Sequence, residues 1–155
     1  MEAKRPHFRH LVLLALVVFG AATCEARNLA VIVDKANTTT AVTSAELLKL
    51  FKFDKSKWPD GRSVTLVLYQ VNKPEMQLAL QKLYKMSPDE MKTLISSHRT
   101  SVVTVESEEA LLKAVVTIPG AIGLIDVYSI TNKVNVLKVD GRLPLDQGYL
   151  LHGNQ

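Results

Sequence analysis

Leu29-Ala30-Val31-Ile32-Val33 places five apolar residues in a row, bounded by Asn28 on one side and Asp34-Lys35 on the other. A strand with one wet face alternates apolar and polar residues, so an unbroken run this short reads as a strand covered on both faces. Next comes a loop holding Thr38-Thr39-Thr40, which leads to Thr43-Ser44-Ala45-Glu46. Thr43 and Glu46 have the spacing of a capping box, in which each side chain satisfies a free backbone N–H of the other. A helix is therefore expected from Ser44, turning Leu47, Leu48, Leu50 and Phe51 inward and stopping near Phe53.

Trp58-Pro59-Asp60-Gly61 is a turn, because Pro fixes φ and Gly accepts positive φ. Val64–Tyr69 reads as a second strand. Pro74 opens the next helix, where its missing N–H costs nothing, and Met76, Ala79, Leu80 and Leu83 form its apolar stripe. Ser87-Pro88-Asp89-Glu90 restarts a helix, with Met91, Leu94, Ile95 and His98 on one side. Val102–Val105 is a short strand, and Ser107 caps a helix that carries Leu111, Leu112 and Val115. Pro119-Gly120 ends it and releases the strand Ala121–Ile125. Val134–Val139 alternates as one last strand before the turn Asp140-Gly141, and the tail after Leu143 reads as loop with loose last residues. Strands alternating with helices predict an α/β fold: a mixed, mostly parallel sheet covered by helices.

Composition narrows the class. The chain has 155 residues, 47% hydrophobic and 22% charged, which excludes a disordered chain and fits one folded domain. A formal charge of +4, scattered along the sequence, gives no footprint for nucleic acid. Residues 1–26 read as a secretory signal peptide. Lys4, Arg5 and Arg9 precede the apolar run Leu11–Ala22, which is short for a membrane span, and Cys24-Glu25-Ala26 sets small residues where cleavage after Ala26 needs them. The folded domain would then occupy 27–155 and be secreted. Two alternatives stand beside cleavage: lipidation at Cys24, which would anchor the chain to a membrane, and an uncleaved leader.

Motifs that carry chemistry are absent. No phosphate loop, dinucleotide fingerprint, zinc-protease motif, CxxC pair or nucleophile elbow occurs, and cleavage after Ala26 would remove the single Cys. His98 reads as a packed residue at a helix end, and His152 lies in the tail. Glu106, Glu108 and Glu109 read as helix-start charges rather than metal ligands. Lys49, Lys52, Lys55 and Lys57, near Trp58, read as a solvated face. The expectation is a non-enzyme with no cofactor and no metal. Two loops are candidate ligand sites: Thr38, Thr39, Thr40 and Ser44 before the first helix, and Asn72 and Lys73 after the second strand. Helix N-termini attract anions, and ligands of open α/β sheets lie beyond the C-terminal ends of strands, where both loops would sit together. Ordinary capping and loop polarity explain the same residues.

Four segments taken in order, Leu29–Lys35, Ser44–Phe51, Trp58–Gly61 and Pro119–Ile125, resemble the phosphate-binding substrate-binding proteins of bacterial ABC importers. The resemblance implies a lobe of the type II periplasmic binding-protein fold, a bacterial extracytoplasmic location and a small inorganic anion, phosphate first, as ligand. It also implies an ABC permease as partner. Phosphate-binding members are longer, and carry an Arg and a Ser-Gly-Thr at the helix start after the second strand. Here that segment is Gln70-Val71-Asn72-Lys73-Pro74-Glu75-Met76-Gln77, so none of those residues carries over. Two functions follow as expectations: weak small-anion binding, or a ligand-free module that uses the fold to contact another envelope protein.

Overall fold

The computed structural model describes residues 27–153; the leader read over 1–26, Cys24 included, lies outside them. The elements in chain order are β1 (Leu29–Asp34), β2 (Ala41–Val42), α1 (Ser44–Phe51), β3 (Thr65–Tyr69), α2 (Pro74–Ala79), α3 (Pro88–Ser97), β4 (Val102–Val105), α4 (Glu108–Thr117), β5 (Ala121–Asp126), β6 (Val134–Val136) and β7 (Lys138–Val139). Five strands form one sheet in the order β4-β3-β5-β1-β6, and β2 pairs with β7 apart from it. The pairs β3–β4, β3–β5 and β2–β7 are parallel, while β1 runs antiparallel to both β5 and β6. The sheet is mixed and mostly parallel, as the element order implies.

Every residue of β1 is buried, which is what its unbroken apolar run requires of a strand with strands on both sides and cover on both faces. Successive strand residues point to opposite faces. Accordingly, Gly123 of β5 faces Leu111 and Val115 of α4, while its neighbour Leu124 lies with Met76 and Ala79 of α2. A Cβ at Gly123 would come within 3.2 Å of Leu111 and 3.3 Å of both Val115 and the Val67 carbonyl, so glycine lets helix and sheet close.

The helix starts are as the sequence writes them. Thr43 and Glu46 form one complete capping box, Ser87 and Glu90 another, and the Ser107 hydroxyl accepts from the Ala110 N–H. Three features differ from the sequence reading. The helix after Pro74 changes pitch: α2 is only six residues long and runs into a π-helical turn, Leu80–Tyr84, ended by Lys85 at φ 54°. This turn delivers buried Tyr84 edge-on to Phe51, ring centres 5.9 Å apart. The run Val134–Val139 is broken at Leu137, so that β6 joins the main sheet and β7 leaves it for β2, a strand hidden in the Thr-rich loop.

The third is the tail, loop-like as expected but tied to the fold through Gly153, with residues 154–155 outside the described ones. Tyr149 and Leu151 are buried, the Leu29 N–H donates to the Leu151 carbonyl, and Asn28 bridges His152.

Candidate functional site

Strand direction decides which loops can share a site. Leu29 of β1 stands opposite Asp126 of β5, and Thr65 of β3 stands beside Ala121 of β5. The end of β1 thus lies level with the start of β3. Thr38, Thr39, Thr40 and Ser44 follow the end of β1; Asn72 and Lys73 follow the end of β3. The two candidate loops sit at opposite ends of the sheet, a strand length of roughly 17–20 Å apart. The expectation that they converge is corrected: β1 runs against β3, a direction that local sequence does not encode.

At the β1 exit, Asp34 is buried, and its carboxylate accepts from the Ala36 N–H at 2.9 Å, the Gly120 N–H at 3.1 Å and Arg62 at 3.2 Å. Arg62 also donates to the Ala36 carbonyl and to Asp60. The Asp60 hydrogen bond holds the guanidinium above its ordinary pKa, and Arg62 holds the Asp60 carboxyl below its own. The indole N–H of buried Trp58 donates to the Gly120 carbonyl at 2.9 Å, so this ring is structural and offers no face for stacking.

Of the predicted ligands here, Thr38 and Thr40 are exposed, and Thr39 and Ser44 are half-buried. The N-terminus of α1 is filled from within the chain. The Ser44 N–H donates to the Asp140 carboxylate at 2.8 Å, and the Glu46 N–H donates to the Thr43 hydroxyl. Glu46 in turn accepts from the Thr43 backbone and hydroxyl, the contacts that hold its carboxyl below the usual range. An incoming phosphate would have to displace one carboxylate and approach another.

The other end, beyond β3, β4 and β5, carries Glu75, Glu106, Glu108, Glu109 and Asp126 against Arg27 and Lys73. Glu75 is buried and pairs with Arg27. Glu106 accepts from the Gln70 amide, Glu108 from the Ser129 hydroxyl and Asp126 from the Tyr128 N–H. Burial first, then the charges of Glu108 and Asp126, push the Tyr69 phenol well above its ordinary pKa. Lys73 is the N-cap residue of α2 and makes no side-chain capping bond.

Asn72 belongs to a different surface. It lines a groove of about 650 Å³ with Gln70, Val71, Lys92, Ile95, Ser96, Arg99, Val102 and Thr104. The sequence reading missed Lys92 and Arg99. Their signal was the spacing Lys92, Ile95, Ser96, Arg99, the i, i+3, i+4, i+7 stripe of one helical face. His98 stacks on Phe53 at 4.1 Å, and its Nδ1 lies 3.0 Å from the Leu94 carbonyl oxygen, as a packed helix-end residue should. Among the described residues, no cluster of His, Cys, Asp and Glu could hold a metal, and no helix is long and apolar enough to cross a membrane.

No protein-family model and no curated protein sequence matches the chain. Solved structures do. An ABC-type phosphate transport receptor from Vibrio cholerae superposes with a TM-score of 0.70 at 16% identity, covering 83% of this chain and 54% of the receptor. PstS from Borrelia burgdorferi gives 0.68 at 16% identity, with 83% and 55% covered. A phosphate-binding protein from Stenotrophomonas maltophilia gives 0.62 at 16% identity, with 77% and 40% covered. The chain spans about half the length of these proteins or less, and over that span it has the fold of phosphate ABC-transporter substrate-binding proteins.

Proposed function

We propose that this chain is an exported, extracytoplasmic domain of the phosphate-importer binding-protein type that works by contacting another envelope protein, with little or no phosphate affinity of its own. The observation that carries this reading is where its carboxylates stand. Asp140 occupies the N-terminus of α1, and five acidic residues crowd the end where β3, β4 and β5 finish. A dianion needs converging N–H and O–H donors, usually with an Arg. Among the described residues the arginine at that end, Arg27, is already committed to Glu75.

Export rests on the leader read over residues 1–26, and an N-terminus at Arg27 in the periplasmic fraction is the expected result. A lipid on Cys24 would replace it with a membrane-anchored form. A non-enzymatic role is supported by the packing of His98 and by the position of His152, whose Nε2 lies 3.1 Å from the Asp146 carbonyl oxygen.

Isothermal titration with phosphate, sulfate and organic anions tests the reading. Silent titrations are expected, whereas a phosphate Kd tighter than about 10 μM would overturn it. A second reading, weak anion binding, is favoured by one observation: Asn72 lines a groove with Lys92 and Arg99 and with no carboxylate in its lining.

A further inference from the structure

Among the described residues, β4 is the outermost strand on its side of the sheet. The Leu66 N–H donates to the Ser101 carbonyl and the Gln70 N–H to the Val105 carbonyl, so the backbone groups of residues 101, 103 and 105 turn toward β3. In a parallel ladder the intervening residues face the other way. The N–H and C=O groups of Val102 and Thr104 therefore point off the edge of the sheet. The side chains of these two residues also line the groove under α3. Natural sheets blunt such edges with Pro, bulges or charges on the strand, and Val102-Val103-Thr104-Val105 carries no Pro and no charge.

The groove has an apolar floor of Val71, Ile95 and Val102, and its two charged lining residues are both cations. Arg99 is exposed, and Lys92 is exposed with a surface pairing to Asp89. Glu106, the first residue after β4, accepts from the amide of Gln70 at one end of the groove.

We propose that this edge and groove bind an extended, acidic segment of a partner protein. The segment would add to β4 as a new strand, place an apolar residue on the floor and set carboxylates against Lys92 and Arg99. Main-chain hydrogen bonds to an open edge supply affinity in this mode of recognition, and pockets for alternate side chains supply specificity. The proposal rests on the protein-contact reading and names its surface and the chemistry of its partner.

The test uses a fluorescein-labelled peptide of alternating Glu and Val, read by anisotropy on the purified chain, with an alternating Lys and Val peptide as control. The acidic peptide is expected to bind and the basic one to fail, with binding weakened by salt. Arg99→Glu combined with Lys92→Glu, both on exposed positions, should weaken binding about tenfold or more. Thr104→Pro, which removes an outward N–H from an edge strand where Pro is tolerated, should abolish it while leaving the thermal melt close to the parent's. Binding that ignores both changes overturns the proposal, as does displacement of the peptide by submillimolar inorganic phosphate. Absent peptide binding with silent phosphate titrations removes the groove alone, whereas tight phosphate binding removes the protein-contact reading beneath it.

Discussion

At one end of the sheet, where β1 leaves it, three hydrogen-bonded partners converge on the buried Asp34 carboxylate, and Trp58 closes the layer over Gly120. At the other end, where β3, β4 and β5 finish, carboxylates accumulate with few cations, and Tyr69 keeps a buried hydroxyl that has no hydrogen-bond partner among the described residues. The first end uses its charge to hold loops together. The second holds its carboxylates one by one, Glu75 with Arg27, Glu106 with Gln70 and Glu108 with Ser129, and keeps a surplus of negative charge at the position where α/β sheets offer ligand sites. Polarity at a strand end therefore does not mark a ligand site by itself, since at both ends most of the charges already have partners within the chain.

The comparison breaks most visibly at Gly120. Its φ is 79°, and a Cβ there would sit 2.1 Å from the Ser63 carbonyl oxygen. Gly120→Ala should cost about 4 kcal/mol or more in urea unfolding, because a strained backbone and a backbone collision act at once. A midpoint near the parent's would show that the β1 exit is softer than described. Asp34→Ala comes next, at about 2–3 kcal/mol, since it orphans the Gly120 N–H and strips Arg62 of its buried partner.

At the opposite end the expected effects shrink. Arg27→Met should cost about 1–2 kcal/mol by leaving Glu75 buried without its cation, a value discounted because Arg27 is 42% exposed. Glu75→Gln should cost less, and equal losses would mean that packing rather than charge dominates there. Smallest, back at the β1 end, is Asp140→Ala, at about 1 kcal/mol for a lost bond at the α1 N-terminus. Its value lies in repeating the phosphate titration on that variant. Heat appearing only after Asp140 is removed would sharpen the comparison, by showing that the chain's own carboxylate is what excludes the anion.

Local chemistry was legible in the sequence wherever one segment sufficed to determine it. The capping boxes at Thr43 and Ser87, the turn at Gly61 and the burial of Leu29–Val33 follow from residues a few positions apart. Parts that depend on distant partners were not legible. The reversed direction of β1 is fixed by pairing with β5, about ninety residues away, and it alone separates Thr38–Thr40 and Ser44 from Asn72 and Lys73. The break at Leu137 was half legible: adjacent apolar Val136 and Leu137 shift the alternation there, but only the presence of β2 draws the last two residues to a second ladder. Asp140 reads locally as a turn residue, and its acceptor role depends on Ser44, 96 positions earlier.

Asn28 and His152 are bridged, and the Gly153 N–H donates to the Asn28 side chain at 3.3 Å. The two ends of the described fold thus meet at a single point on the surface. A domain arranged this way can be spliced into a loop of a host protein, or closed into a ring by a few added residues, without stretching its core. Ligating residue 28 to residue 153 through a short Gly-Ser link, and reopening the chain at the exposed Asp60-Gly61 turn, would give a permuted form with the same fold.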